Sequence, residues 1–323
     1  MKVLIVKTSS LGDIVQTFPV LDYLKHQFPI VEIHWVVESA FAEIVRCHPQ
    51  VDQVIAIESK NWRGKEMFKQ MGKLRRELRC IHFDVVFDLQ GNVKSSLVTM
   101  IAKSRAKVGF GWKTVPEWPA WFFTHRKVNP PKGQNIREDY MSVIQSYFQD
   151  KSHFVAKPFS LKLDSLQQQK LAALFSSQQK PILVCPSAAW PNKCLSEEGL
   201  LKALRQLNKS PLWFVWGNPA EREQVVRLSS HFPNSLVLEK LSLPLLQNVM
   251  MRCELVVAMD SLPLHLCGTT STPSLSFFGP SSAKKYQPLG SQHRALQGTC
   301  PYSQQFEKRC PKLRTCPTGA CLK

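Results

Sequence analysis

With 323 residues and 36.8 kDa, 44% of it hydrophobic, the chain is long enough for two packed domains and too apolar to be disordered. Its 42 lysines and arginines against 24 aspartates and glutamates give a formal charge of +18, which calls for an acidic partner: nucleic acid, an anionic membrane surface or a phosphorylated substrate. No apolar run approaches the roughly 18 residues of a spanning helix, and the opening Met1-Lys-Val-Leu-Ile-Val-Lys7 is too short in its apolar part for a signal peptide. A protein that stays inside the cell and meets membranes only from the side is expected.

In chain order, residues 3–6 read as a first strand, and Ile14, Val15, Phe18, Leu21 and Leu24 then recur at helical spacing. Strands are predicted over 32–37, 54–57 and 84–88, with a basic helical segment over 63–79 between the last two. Helices over 92–102 and 136–148 complete the first half. Residues 151–161 carry Pro158 and lack periodicity, so the linker is placed there and the domains run 1–157 and 158–323. The pattern then restarts: strand 181–185, helix 197–207, strand 212–216, helix 221–228, strand 235–238, helix 244–251 and strand 255–258. A helix carrying His265 and a last buried strand over 274–278 follow, stopped by Gly279-Pro280. Strands separated by helices predict an α/β fold of two Rossmann-like domains, whose parallel sheets face a cleft beyond the carboxyl ends of their strands. No internal repeat or low-complexity tract is present.

Several positions along that cleft carry chemistry. The turn Lys7-Thr-Ser-Ser-Leu-Gly-Asp13 is neither a Walker A loop nor a GxGxxG fingerprint. Its Asp13 is either a helix N-cap or a general base that takes a proton from an attacking hydroxyl. After the strand at 181–185, Ser187 can hold phosphate and Lys193 can neutralise a departing diphosphate; both also suit a solvated loop. Glu221, just past Gly217-Asn-Pro219, can accept from ribose hydroxyls or simply sit in the acidic first turn of its helix. Asp260-Ser261 begins the helix that carries His265, where a cap and free backbone N–H groups favour an anion. His265 has the ordinary alternative of a packed or capping histidine.

Lys60, Arg63, Lys65, Lys69, Lys73, Arg75, Arg76, Arg79 and Lys94 all lie in the first half, with Trp62 and Phe68 among them. They suit a phosphorylated lipid head group or an exposed helix face; aromatic residues in a basic patch also suit single-stranded nucleic acid. No RRM, KH, zinc-finger or helix-turn-helix signature supports that last reading. Of ten cysteines, Cys47, Cys80, Cys185, Cys194, Cys253 and Cys267 are scattered and read as reduced core residues. Cys300, Cys310, Cys316 and Cys321 cluster in the tail, but paired short spacings are lacking, so free thiols, or two accidental disulfides after purification, are expected rather than a metal.

These pieces together resemble the ADP-heptose lipopolysaccharide heptosyltransferases of glycosyltransferase family 9, over nearly the whole chain. The opening Lys2-Val-Leu-Ile-Val-Lys-Thr-Ser-Ser-Leu-Gly-Asp13 resembles that of the family. Asp260-Ser-Leu-Pro-Leu-His265 is similar to its Asp-Ser/Thr-x-x-x-His motif, and Phe277-Phe-Gly-Pro280 to the strand end that follows. Trp35-Val-Val-Glu38, Lys60-Asn-Trp-Arg63 and Asp84-Val-Val-Phe-Asp-Leu-Gln-Gly-Asn-Val-Lys94 are most similar to the branch that adds the first heptose to Kdo on lipid A.

The resemblance implies a GT-B architecture, with acceptor binding in the first domain and ADP-heptose in the second. It implies an inverting displacement with no cofactor or essential metal. Asp13 would deprotonate the Kdo hydroxyl and Lys193 would stabilise departing ADP. Ser187, Glu221, Asp260, Ser261 and His265 would bind the donor, and Lys60, Arg63 and Lys94 the acidic acceptor. A monomer on the cytoplasmic face of the inner membrane, held to its anionic surface and without nucleic acid, is expected. The alternatives are transfer to an already heptosylated core, or a nucleic-acid-binding protein on a degenerate sugar-nucleotide fold. Cys194 stands where the family often has Trp, Leu262 replaces a frequent small residue, and Pro116 falls where an acceptor-binding Arg is usual, with Lys113 nearby. The cysteine-bearing tail is more like the branch that extends a heptosylated core.

Overall fold

The computed structural model describes residues 1–62, 64–175, 179–207 and 210–323. They form two compact units, Met1–Lys157 and Pro158–Lys323. The first unit runs β1 (Lys2–Val6), α1 (Leu11–Thr17), α2 (Pro19–Gln27), β2 (Glu32–Glu38), α3 (Ala42–Arg46) and β3 (Gln53–Ile57). It continues through α4 (Gly64–Arg79), β4 (Phe83–Asp88), α5 (Val93–Ile101), β5 (Ser104–Phe110), β6 (Arg126–Val128) and α6 (Ile136–Phe148). Its six strands are all parallel, in the order β3-β2-β1-β4-β5-β6.

The second unit runs α7 (Ser165–Leu174), β7 (Ile182–Cys185), α8 (Glu197–Leu207), β8 (Leu212–Phe214), α9 (Pro219–Ser229) and β9 (Ser235–Val237). After these come α10 (Leu243–Met250), β10 (Leu255–Met259), α11 (Leu262–Cys267), β11 (Ser274–Phe278), α12 (Ala283–Tyr286) and β12 (His293–Gln297). Its sheet, β12-β11-β10-β7-β8-β9, is again wholly parallel. Counted from each unit's own first strand, the order is the same, 3-2-1-4-5-6. In each, the chain reverses direction of travel across the sheet between strands one and four, which opens a crevice at their carboxyl ends.

Both sheets are covered on two faces, so their central strands are continuous apolar runs rather than alternating ones. Val3, Leu4, Ile5 and Val6 of β1 are fully buried, as are Val256, Val257, Ala258 and Met259 of β10. The basic α4 turns Leu74 and Leu78 into the core formed by Leu4, Val36, Phe83 and Val86, and leaves Lys69, Lys73, Arg75, Arg76 and Arg79 exposed. The expected single helix from 14 to 24 is two, because Pro19 has no N–H to continue α1 and instead opens α2. Strands β5, β6 and β12, at or next to sheet edges, were not expected; β6 has only three residues, and β5 and β12 carry Arg105, Lys107 and Arg294 inside the strand and so lack a clean apolar run. The scattered cysteines divide: Cys185, Cys253 and Cys267 are buried, Cys47 and Cys194 half-buried, and Cys80 exposed at the end of α4, a correction to its reading as core. No described helix is long and apolar enough to cross a membrane.

Candidate active site

In the first unit, Lys7 follows β1 and is buried. Its Nζ donates to the Leu89 carbonyl (3.1 Å) and to the Tyr140 hydroxyl (2.9 Å), and lies 4.7 Å from the centre of the Tyr140 ring. Burial pushes the ammonium below the usual lysine range, against the opposing attraction of Asp13 and Asp88. Asp88, equally buried at the end of β4, accepts from the Gln90 N–H (3.0 Å), the Gly91 N–H (2.8 Å) and the Ser95 hydroxyl (2.9 Å). Burial raises its carboxyl, while these donors and Lys7 pull the other way. Gly91 sits at φ +68° to close this turn, and a Cβ there would meet Pro116 Cδ at 2.7 Å.

The same turn reaches across to Asp13. Gln90 Oε1 accepts from the Thr8 N–H (3.2 Å) and the Ser9 N–H (3.1 Å), tying the segment before α1 to β4. Asp13 is not the N-cap; Ser10 is, and Asp13 occupies the third helical position in a reciprocal capping box. Its Oδ2 accepts from Ser10 N (3.2 Å) and Ser10 Oγ (2.7 Å), which orients the half-buried carboxylate at the carboxyl edge of the sheet.

Lys94, in the first turn of α5, donates to the Ser59 carbonyl (3.0 Å). Ser59 is in turn held by Glu38 at the end of β2, through its N–H (3.1 Å) and its hydroxyl. Lys60, next in the chain, is exposed, so the structure gathers Lys60 and Lys94 at one place; Arg63 lies outside the described residues. Glu117 Oε2 accepts from Val93 N (2.9 Å), which brings the exposed Trp118 beside the start of α5; Trp112 and Lys113 are exposed earlier in the same segment.

In the second unit, Asp260 ends β10 and is 4% exposed. Its Oδ2 accepts from Lys193 Nζ (2.5 Å) and from the Ser281 hydroxyl, and Lys193 Nζ also reaches the Asp260 carbonyl (3.3 Å). His265 Nε2 stands 3.6 Å from Asp260 Oδ1. Burial alone would raise the Asp260 carboxyl, but His265, Lys193 and the Ser281 hydroxyl together hold it below the usual carboxylate range. Asp260 thus spends its charge on aiming a lysine and a histidine. Lys193 keeps one further ammonium proton for a ligand. Ser261 is the N-cap of α11 by backbone geometry but makes no side-chain cap; its hydroxyl turns back toward the Met259 carbonyl (3.4 Å).

Ser187 and Glu221 form a neighbouring group around α9. The Ser187 hydroxyl donates to Gln224 Oε1 (3.2 Å). Glu221 closes the turn after β8 by accepting from Gly217 N (2.7 Å) and Asn218 Nδ2 (2.7 Å), while its own N–H donates to Asn218 Oδ1 (3.0 Å). Each carboxylate oxygen retains a second lone pair for a hydroxyl donor. The structure therefore joins Lys193, Asp260 and His265 directly, and Ser187 and Glu221 through α9. The sequence reading missed Ser281, Lys7, Gln90 and Asp88. A lysine directly at the end of an apolar first strand, and a serine directly after Gly279-Pro280, were the available signals.

Residues 71–315 match glycosyltransferase family 9 (heptosyltransferase). The chain is 32% identical over 289 residues to lipopolysaccharide heptosyltransferase 1 of Escherichia coli K12, covering 87% of this chain and 88% of that protein. It is 31% identical over 319 residues to the protein of the same name from Pseudomonas aeruginosa, covering 96% and 87%. Among solved structures, E. coli heptosyltransferase WaaC with ADP superposes with a TM-score of 0.79 at 28% identity, over 93% of this chain and 94% of that one. Its complex with ADP-2-deoxy-2-fluoro heptose gives 0.77 with the same identity and coverage. Two parallel α/β units that match these proteins define a glycosyltransferase of GT-B architecture. The chain belongs to glycosyltransferase family 9, the heptosyltransferases.

Proposed function

We propose that this enzyme transfers heptose from ADP-heptose to a Kdo residue of Kdo-lipid A during assembly of the lipopolysaccharide inner core. The observation that carries the reading is the Lys193 ammonium fixed 2.5 Å from buried Asp260 beside His265, in a chain 32% identical to a lipopolysaccharide heptosyltransferase 1. In this mechanism Asp13 takes the proton from the Kdo hydroxyl as that oxygen attacks the anomeric carbon from the face opposite the leaving group. The carbon–oxygen bond to ADP breaks with inversion. Lys193 and His265 stabilise the charge that grows on the diphosphate, with Asp260 holding both in place. Ser187 and the Asp260-Ser261 turn bind phosphate oxygens, and Glu221 binds ribose hydroxyls. No step requires a metal.

The first unit is assigned to the acceptor and the second to the donor. Lys60, Arg63 and Lys94 grip acidic groups of the inner core. The exposed basic face of α4, with Phe68 at its start and the exposed Trp118 and Phe122 elsewhere in the unit, supports an enzyme peripheral to the anionic cytoplasmic face of the inner membrane. The test is a transfer assay that pairs ADP-heptose with either Kdo-lipid A or an already heptosylated core, read by product mass. Heptose added to Kdo-lipid A is expected. Product only from the heptosylated core reassigns the acceptor, and no product from either rejects the reading.

A further inference from the structure

Residues 300–323 wrap behind the Lys193–Asp260 site, and their cysteines converge. Three of the four precede proline and open a tight turn. The Cys300 carbonyl accepts from Ser303 N (3.1 Å) and the Cys310 carbonyl from Leu313 N (3.0 Å). Cys316 begins Cys316-Pro-Thr-Gly319, in which Gly319 adopts φ +56°. These turns set Cys300, Cys310, Cys316 and Cys321 on the wall of one cavity, together with Pro280 and Tyr302.

All four cysteines are half-buried, and the Cys316 sulfur lies 3.7 Å from the Thr318 hydroxyl. Lys308, Arg309, Lys312 and Arg314 supply positive charge within the same loop.

We propose that Cys300, Cys310, Cys316 and Cys321 form a tetrathiolate site for a divalent metal ion, Zn²⁺ or Fe²⁺. Four thiols lining one cavity supply the donor set that tetrahedral coordination uses. Binding exchanges four thiol protons for one ion, and the resulting charge of −2 is offset by the basic loop. Among the described residues no three His, Cys, Asp or Glu side chains stand ready to hold a metal. The ion therefore draws the thiols inward by side-chain rotation and small movements of the turns. Its role is structural. Asn192 Nδ2 donates to the Leu313 and Cys316 carbonyls (3.0 Å each), Arg314 stacks 4.5 Å from the Trp190 ring centre, and Cys310 N donates to the Pro280 carbonyl (2.7 Å). A closed metal knot would thus brace the Lys193 turn and the start of the Ser281 loop. The site itself is independent of the transferase reading; only its bracing of Lys193 rests on that reading.

Titration of the reduced, chelator-stripped full chain with Co²⁺ tests the site without recourse to activity. One equivalent should saturate a thiolate-to-cobalt charge-transfer band with tetrahedral ligand-field bands, and Zn²⁺ should displace it. Zn²⁺ should also protect the four tail thiols of the unmutated chain from alkylation, as mapped by peptide mass. The band should be lost in Cys310→Ser/Cys316→Ser and kept in Cys80→Ser. Absence of the band in the reduced chain, its survival in the double variant, or alkylation of all four thiols despite Zn²⁺ would overturn the proposal.

Discussion

Both units place a lysine and an aspartate at the carboxyl ends of strands one and four: Lys193 bonds Asp260 directly, while Lys7 feels the charge of Asp88 without bonding it. In the first unit the pair is buried and faces Asp13; in the second the lysine is itself the proposed working group. If Asp13 is the base, Asp13→Asn should lower turnover by about 10²- to 10⁴-fold while leaving ADP affinity unchanged, the usual scale for general-base removal. Near-normal turnover, measured alongside ADP titration calorimetry, would reject the role.

Asp260 carries a pH signature. Its folded carboxyl lies below the ordinary value, because His265, Lys193 and Ser281 outweigh the effect of burial. A depressed acid contributes stability that is present above the unfolded value, about 4, and is lost as pH falls through the folded value. Urea midpoints of the native chain and of Asp260→Asn should therefore differ at neutral pH, with the gap starting to narrow at about pH 4 and closing only below the folded value. Parallel profiles would show that the buried pair gives no net stabilisation.

At the scale of elements, the turn from β4 into α5 does the most organising. Asp88 collects the Gln90 and Gly91 amides and the Ser95 hydroxyl, and Gln90 then fixes the segment that leads to Asp13. Asp88→Ala leaves those buried donors without their acceptor and should cost about 3 kcal/mol, the scale of a lost buried hydrogen-bonding centre. Chemical denaturation reads this directly; a loss within about 0.5 kcal/mol, the range of an ordinary surface substitution, would contradict it.

Elements with strong apolar runs were legible in the sequence. The strands around Leu4, Val36, Val86, Val184 and Val257 declared themselves because both sheet faces are covered. Of the edge strands, β3 and β9 were legible but β6 and β12 were not, since half-exposed Arg126–Val128 and His293–Gln297 carry no such run. Asp260 and His265 could be named from a short motif, and Lys193 from its loop. Ser281 and Gln90 could not, because what places them is a parallel register and a side-chain reach between segments tens to about eighty residues apart, and no local spacing encodes that. The tail shows the same limit: gaps of nine, five and four residues between cysteines look unpaired until three proline turns fold them together.

For the molecule as a whole, the exposed face of α4 presents one cluster of the excess positive charge, in Lys69, Lys73, Arg75, Arg76 and Arg79. Each basic residue at an anionic surface is worth about 1 kcal/mol and is screened by salt. Sedimentation with vesicles rich in anionic lipid should show binding that falls at least tenfold between 50 mM and 500 mM salt, roughly a threefold shortening of the Debye length. Charge reversal at Arg75 and Arg76 should abolish it while leaving ADP affinity intact. Salt-insensitive association would instead implicate the exposed aromatics Trp118 and Phe122.

The doubled strand order bears on how such an enzyme diversifies. Each crevice is framed entirely by strands of its own half, so one half can drift without retuning the other. Under the proposed division, changes in the loops after β3 and β5 alter which glycan is recognised, while the nucleotide grip after β7 and β10 is inherited untouched. Relatives that share a donor but decorate different core sugars are what such a two-cassette inheritance would generate.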